Sequence, residues 1–179
     1  NRMHPIKKFA GKSIIWIDTS MMDRKDESRL KGGSYCNYAE NTLVKKLLEG
    51  FKNEGVLPNL DIGIITGYRG QKDLIRKSVN NSGYDRIAKG IDINTLDAFQ
   101  GRENDIIIYS TVRTKNSIGF QKEKERVNVA FSRAKNLLII CGDMDFFYKF
   151  DDPDNKFIEI IDYICEHEDE CLVIPGGEI

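Results

Sequence analysis

The 179-residue chain has no long apolar run, no surplus of either charge, and only four cysteines and four prolines. Each shortage excludes something. No stretch approaches the roughly 20 apolar residues that a membrane-spanning helix needs. Residues 1–20 lack the apolar block and small-residue cleavage site of a secretory leader. A formal net charge of −1 excludes a uniformly basic surface, so any contact with a polyanion has to be local. Cys36, Cys141, Cys165 and Cys171 form no CxxC pair and no framework spacing, which points to a reducing, cytoplasmic compartment. The cluster Cys165-Glu166-His167 with Cys171 lacks a fourth ligand nearby, so no metal site is expected. A phosphate-binding P-loop is missing too. Ala10-Gly11-Lys12-Ser13 carries its GKS ending, but Ile6 stands where the motif needs its first glycine. This GKS also precedes an apolar run instead of following one, so its amides would not be gathered at a helix N-terminus.

What is present is the composition of a soluble globular protein, 40% hydrophobic and 31% charged, with enough length for one cored domain over residues 1–179. Apolar, β-branched runs recur at residues 13–17, 62–66, 91–96, 106–109 and 137–140, with a short run at 171–174 placed as an edge strand. They are continuous rather than alternating, as strands covered on both faces of a parallel sheet are. Between them lie helical patterns. Ala39, Leu43, Leu47 and Phe51 recur at four-residue spacing before Gly55 and Pro58. A second helix is expected from Arg69 to Val79, a third from about Glu123 to Lys135, and a fourth from Asn155 to Cys165. Strands alternating with helices imply a three-layer α/β domain, a mostly parallel central sheet flanked by helices. Residues 20–34 read as a polar loop, and 151–179 as an acidic C-terminal helix and strand. The start Asn1-Arg2-Met3-His4-Pro5 carries no initiator methionine, and the expectation is a fragment of a longer chain, monomeric by itself.

Three segments could carry chemistry. In Ile64-Ile65-Thr66-Gly67-Tyr68-Arg69-Gly70-Gln71 a strand runs into a helix through a glycine. Ligands of open parallel sheets bind off strand carboxyl ends, which is where Thr66, Tyr68, Arg69 and Gln71 are expected. In Asn94–Ile108 the polar group Gln100-Gly101-Arg102-Glu103 separates two apolar runs and is expected at that same ligand-binding edge. In Glu125–Lys135, Arg126 and Arg133 are seven apart and would lie on one helical face, about 10 Å apart. From Arg113 to Lys135 the bases Arg113, Lys115, Lys122, Lys124, Arg126, Arg133 and Lys135 face only Glu123 and Glu125, a local positive surface. Each segment alone also has a plain reading, as a βα turn, a glycine turn or a solvated helix.

Together the ordered segments ITGYRGQ, NTLDAFQGRENDIIIYSTVR and ERVNVAFSRAKNLLIICGD resemble motifs IV, V and VI of superfamily 1 helicases. They are most similar to the Upf1-like (superfamily 1B) branch. Arg2-Met3-His4-Pro5 resembles the signature with which that family enters its second, C-terminal RecA-like domain. The likeness covers most of residues 1–143. Asn1 stands where the family often has an aromatic, and the segment from Pro5 to Ile14 is shorter than usual.

The resemblance implies a RecA-like (P-loop NTPase-like) fold and half of an ATP·Mg²⁺ site. The P-loop and magnesium-binding acids would lie in an N-terminal RecA-like domain of the same chain. Arg133 corresponds to the arginine finger, and Arg2 to a second arginine reaching the γ-phosphate. A forked, permanently charged guanidinium suits an oxygen-rich group gaining charge. Gln100, Gly101, Arg102 and Glu103 would border the nucleotide. Thr66, Tyr68, Arg69, Thr95 and Arg113 would contact single-stranded DNA or RNA, with 5′ to 3′ translocation. The alternative is a degenerate helicase-like domain acting as a non-catalytic nucleic-acid or protein-binding module.

Overall fold

The computed structural model describes residues 7–99 and 101–179; Arg2 and Gln100 lie outside them. The chain runs β1 (Ile14–Asp18), β2 (Ser28–Arg29), β3 (Tyr35–Cys36), α1 (Tyr38–Asn53), β4 (Asp61–Thr66), α2 (Arg69–Ser82) and α3 (Tyr84–Ile87). It continues through β5 (Gly90–Thr95), β6 (Asn104–Ser110), α4 (Lys124–Phe131), β7 (Ala134–Gly142), α5 (Met144–Lys149), α6 (Phe157–Glu166) and β8 (Cys171–Pro175). Six strands form one sheet in the order β5-β4-β6-β7-β1-β8, and every pairing in it is parallel. The continuous apolar runs are explained by burial on both faces. Ile15, Ile17, Ile62, Ile64, Ile106, Ile108, Leu137 and Ile139 pack with Leu43, Leu47, Phe51, Ile75 and Val79 of α1 and α2. The alternate residues Trp16, Ile65, Ile107, Tyr109, Leu138 and Ile140 pack with Val127, Phe147, Phe157 and Ile161 on the other side. This is the three-layer α/β architecture expected from the strand and helix pattern.

Local signals set most boundaries. Asn37 caps α1, its side chain accepting the Glu40 N–H, and Gly83 ends α2 at φ +72, a left-handed cap that glycine adopts freely. Three expectations are corrected. The third helix stops at Phe131 rather than Lys135. Ser132 closes it, and Ala134 pairs with Asn104 as β7 begins, because nine residues of sheet pairing outweigh one more helical turn. Arg133 therefore lies beyond the helix and does not share a face with Arg126. The 20–34 loop contains half of a small hairpin, β2 pairing antiparallel with β3, and buries Glu27. Helix α5 is an addition in a stretch to which the sequence pattern assigns no element; the Asp143 side chain caps it by accepting the Phe146 N–H.

The third correction concerns the polar group after Phe99. Because β5 and β6 both run parallel to β4, the connection over 96–103 must return the full height of the sheet. Its described residues carry no helix. Phe99 anchors it in the second core beside Gly63. A Cβ at Gly63 would stand 3.0 Å from the Phe99 ring, 2.7 Å from Ile107 Cδ1 and 2.9 Å from Asn104 Oδ1. The connection thus delivers Gly101, Arg102 and Glu103 to the amino end of β6, opposite the edge on which they were expected. Gly63→Ala should destabilise the domain by about 1–3 kcal/mol through overpacking, read as a lower urea midpoint at unchanged slope.

Candidate functional site

The sheet's polarity separates the candidate residues into two groups. At the amino ends lie Gly101, Arg102 and Glu103, all exposed, and Arg133. Gly101 stands at φ +73, a conformation that favours glycine. Arg102 reaches across to Asp61, the first residue of β4, with Nη2 3.2 Å from Oδ2. The Asn104 N–H donates to the Arg133 carbonyl at 3.0 Å, which fixes Arg133 beside Glu103 at the entry to β6 and β7. Arg133 Nε is buried and has no hydrogen-bond partner among the described residues. A buried guanidinium nitrogen without an acceptor is costly.

At the carboxyl ends lie Thr66, Tyr68, Arg69, Thr95 and Arg113, which all line or border one cleft of about 780 Å³. The six residues of β4 put this edge roughly 16 Å or more from the first group, at about 3.3 Å per residue. Thr66 is buried at the end of β4 and Tyr68 is 2% exposed, while Arg69 projects into solvent. Thr95 is half-buried at the end of β5. Arg113, expected as a strand contact, is 6% exposed, and its Nε is 3.0 Å from Glu27 Oε2. Its guanidinium lies over the Tyr35 ring at 4.3 Å and donates to the Tyr68 hydroxyl at 3.4 Å. Burial opposes its charge, but the Tyr68 and Glu27 hydrogen bonds outweigh that and hold its pKa above the ordinary arginine value. Its charge is thus matched within the domain, and it shapes the cleft floor. Burial likewise raises the Tyr68 hydroxyl pKa, although Arg113 pulls the other way.

Several residues here were not singled out in the sequence. Phe120 is 59% exposed and tilts over Tyr68 with ring centroids 5.3 Å apart; Tyr35 meets Tyr68 edge-on at 5.7 Å. Gly119, at φ +61, lies against the Tyr68 hydroxyl. Glu40 is fully buried beneath the cleft. A signal for it was legible: Glu40, Leu43, Val44 and Leu47 follow the helical stripe, so an acid occupies a core position. Tyr35 and Glu27 reach the cleft through long-range contacts that no local pattern encodes. The GKS lysine has another use, Lys12 Nζ donating to the Glu168 and Asp169 carbonyls at 2.6 and 3.3 Å.

A six-stranded parallel sheet with helices on both faces thus carries polar groups at both of its ends. Residues 2–145 match AAA_12, described as an AAA domain, and the chain belongs to this family. It is a helicase-family domain homologous to the Upf1-like branch of superfamily 1. It is 33% identical over 158 residues to DNA polymerase alpha-associated DNA helicase A of Saccharomyces cerevisiae, covering 86% of this chain and 22% of that protein. It is 40% identical over 121 residues to the Regulator of nonsense transcripts 1 homolog of Neurospora crassa, covering 65% and 11%. It is 38% identical over 122 residues to ATP-dependent helicase upf1 of Schizosaccharomyces pombe, covering 66% and 13%. The chain therefore spans about a fifth or less of the length of these relatives.

Two outcomes test the cleft. Gly119→Ala should distort it, because the new Cβ would run into the Tyr68 hydroxyl at a φ that L residues resist; a shifted tyrosine near-ultraviolet circular dichroism signal is the expected result. The second concerns Glu40, whose pKa burial pushes up to about 7, against the Ser110, Val112 and Thr111 donors and with Asp143 adding to the rise. Tyr109 and Cys141 also feel its charge. The folded protein keeps this proton where the unfolded chain, titrating near 4.5, releases it. The stability it contributes is complete below pH 4.5 and lost as pH rises through about 7. Relative to Glu40→Gln, wild-type unfolding free energy should fall across that window by on the order of 3 kcal/mol, measured by urea titration at several pH values.

Proposed function

We propose that this chain is the second RecA-like domain of an ATP-dependent superfamily 1 helicase. In this reading the amino-end group completes an ATP site, and the carboxyl-end cleft holds a single strand of DNA or RNA. The observation that carries it is the separation of the two groups by the height of one sheet, with Arg133, whose Nε has no partner among the described residues, at one end and an aromatic-lined cleft at the other. Arg133 is the arginine finger. Its fixed fork and permanent charge suit a phosphoryl group gaining negative charge. Gly101 allows close backbone approach, while Arg102 and Glu103 border the site. Gln100 and Arg2, assigned by resemblance, keep their expected roles beside the nucleotide. The P-loop domain that would supply the remaining phosphate contacts and the Mg²⁺ ligands belongs, in this proposal, to the same longer polypeptide.

At the other edge Arg69 is the exposed cation placed to meet a phosphate, and Thr95 adds a hydroxyl. Tyr68 and Phe120 present aromatic surface on which bases can stack without regard to sequence. Thr66 and Arg113 act from beneath, holding Tyr68 and the cleft floor in place. Phosphate contacts would make strand affinity fall with salt.

In the longer polypeptide with its P-loop domain, Arg133→Ala should lower strand-stimulated ATP turnover by about 10³-fold or more while strand affinity stays within twofold. Arg69→Ala should do the converse, weakening strand binding and raising the strand concentration needed for half-maximal turnover. Steady-state ATPase assays and fluorescence anisotropy with DNA and RNA oligonucleotides separate the two. Unchanged turnover in Arg133→Ala would remove the finger assignment, and binding without any turnover would favour a non-catalytic module.

A further inference from the structure

Beneath the cleft, the backbone at Val112 has a conformation that needs an explanation. Val112 stands at φ +67, where a β-branched residue is crowded. The Arg113 N–H donates to the Thr111 carbonyl at 2.8 Å, so the chain closes a three-residue γ-turn of the rare, positive-φ sign. This turn ends β6 and redirects the next residue, Arg113, under Tyr35 and onto Glu27.

The turn is clasped from α1. Both Glu40 oxygens accept the Val112 N–H, at 3.0 and 2.9 Å, and Asn37 Nδ2 donates to the Val112 carbonyl at 3.1 Å. Glu40 also accepts from Ser110 Oγ at 2.5 Å and Thr111 Oγ1 at 3.1 Å, binding every residue leading into the turn. Asn37 is locked in turn to α2. Its N–H donates to Gln71 Oε1 at 2.8 Å, and Gln71 Nε2 donates to the Asn37 carbonyl at 3.2 Å and to Ser110 Oγ at 2.9 Å. Glu40, Asn37, Gln71 and Ser110 are all completely buried. A polar network so thoroughly satisfied in the core specifies one arrangement of the elements it joins, here α1, α2 and the end of β6. The helix it fixes, α2, begins at Arg69.

We propose that Glu40 is a positioning residue for the strand cleft: it holds the Val112 turn in its strained form, and through it the place of Arg113 and the Tyr68 platform. This rests on reading the cleft as a single-strand site. A carboxylate that only filled the core would give the same loss of stability on removal, but it would not depend on what residue 112 is. Glycine adopts φ +67 without strain, so it needs no clasp.

The test uses the 179-residue chain, ¹⁵N-labelled, as wild type, Glu40→Gln, Glu40→Ala, Val112→Gly and the Glu40→Ala/Val112→Gly double variant. Two readouts are taken: the Val112 and Arg113 amide exchange rates with the Arg113 Nε–Hε resonance, and anisotropy of labelled oligo-dT and oligo-U. Glu40→Gln, which keeps an acceptor for the Val112 N–H, should retain the wild-type resonance. Glu40→Ala should speed exchange at residues 112 and 113 and weaken strand affinity, each by about tenfold, and shift or broaden the Arg113 resonance. Adding Val112→Gly should return both readouts to those of Val112→Gly alone. If Glu40→Ala folds with exchange and affinity within twofold of wild type, the proposal is overturned. It is equally overturned if the double variant is no better than Glu40→Ala, or if both fail to fold while Val112→Gly folds. A wild-type chain that binds neither oligonucleotide sinks the strand reading of the cleft, while the exchange and Arg113 readouts still decide whether Glu40 sets the turn.

Discussion

The parallel pairing of all six sheet strands is the constraint from which the rest follows. A parallel sheet cannot be closed by tight hairpins; every connection must carry the chain back from one edge to the other. Returning segments cover both faces, so the central strands are apolar where they cross the core and their polar groups gather toward the two ends. The domain therefore has two polar ends at fixed separation, with a packed hydrophobic layer between them. Side chains at one end cannot reach a ligand at the other. What one surface senses has to pass through packed strands and the segments that run beside them.

The cleft shows how polar groups are accommodated at such an end. Glu27 and Arg113 form an ion pair with side chains only 2% and 7% exposed. Removing both charges from water costs several kcal/mol, and their attraction repays this only with good geometry and further hydrogen bonds. Those are present: Glu27 also accepts the Thr114 N–H at 2.6 Å, Arg113 donates to the Lys115 carbonyl at 3.2 Å, and two tyrosine rings flank the guanidinium. The arrangement stabilises a shape more than it stabilises the fold, and it leaves Arg69, Phe120 and Asp97 among the exposed groups of the cleft.

The strands were readable because burial on both faces leaves an unbroken apolar run, as in Ile106 to Tyr109, and helices α1 and α2 because their stripes end in glycine signals. Helix α4 was overextended because Ala130 to Lys135 has helix-compatible residues, and only pairing with β6, remote in sequence, converts Ala134 and Lys135 to strand. The same kind of information decided the place of Gly101 to Glu103. A turn between two apolar runs looks alike at either edge of a sheet, and the direction of β6 relative to β5 is fixed by neighbours, not by the turn. Residue type singled out Arg133 and Tyr68 as candidates, whereas Tyr35 and Glu27 join the cleft's contacts only through a hairpin two residues wide.

The connection from Leu96 to Glu103 joins the two ends covalently. Thr95 and Gly101 are the terminals of a short tether, pinned near its middle where Phe99 sits against Gly63. A pinned tether behaves as a lever with a fulcrum. Displacement of Gly101 either turns about the Phe99 ring and moves Thr95, or is absorbed in the glycine before it arrives. The stiffness of those few residues thus sets how much of a motion at one edge of the sheet is felt at the other.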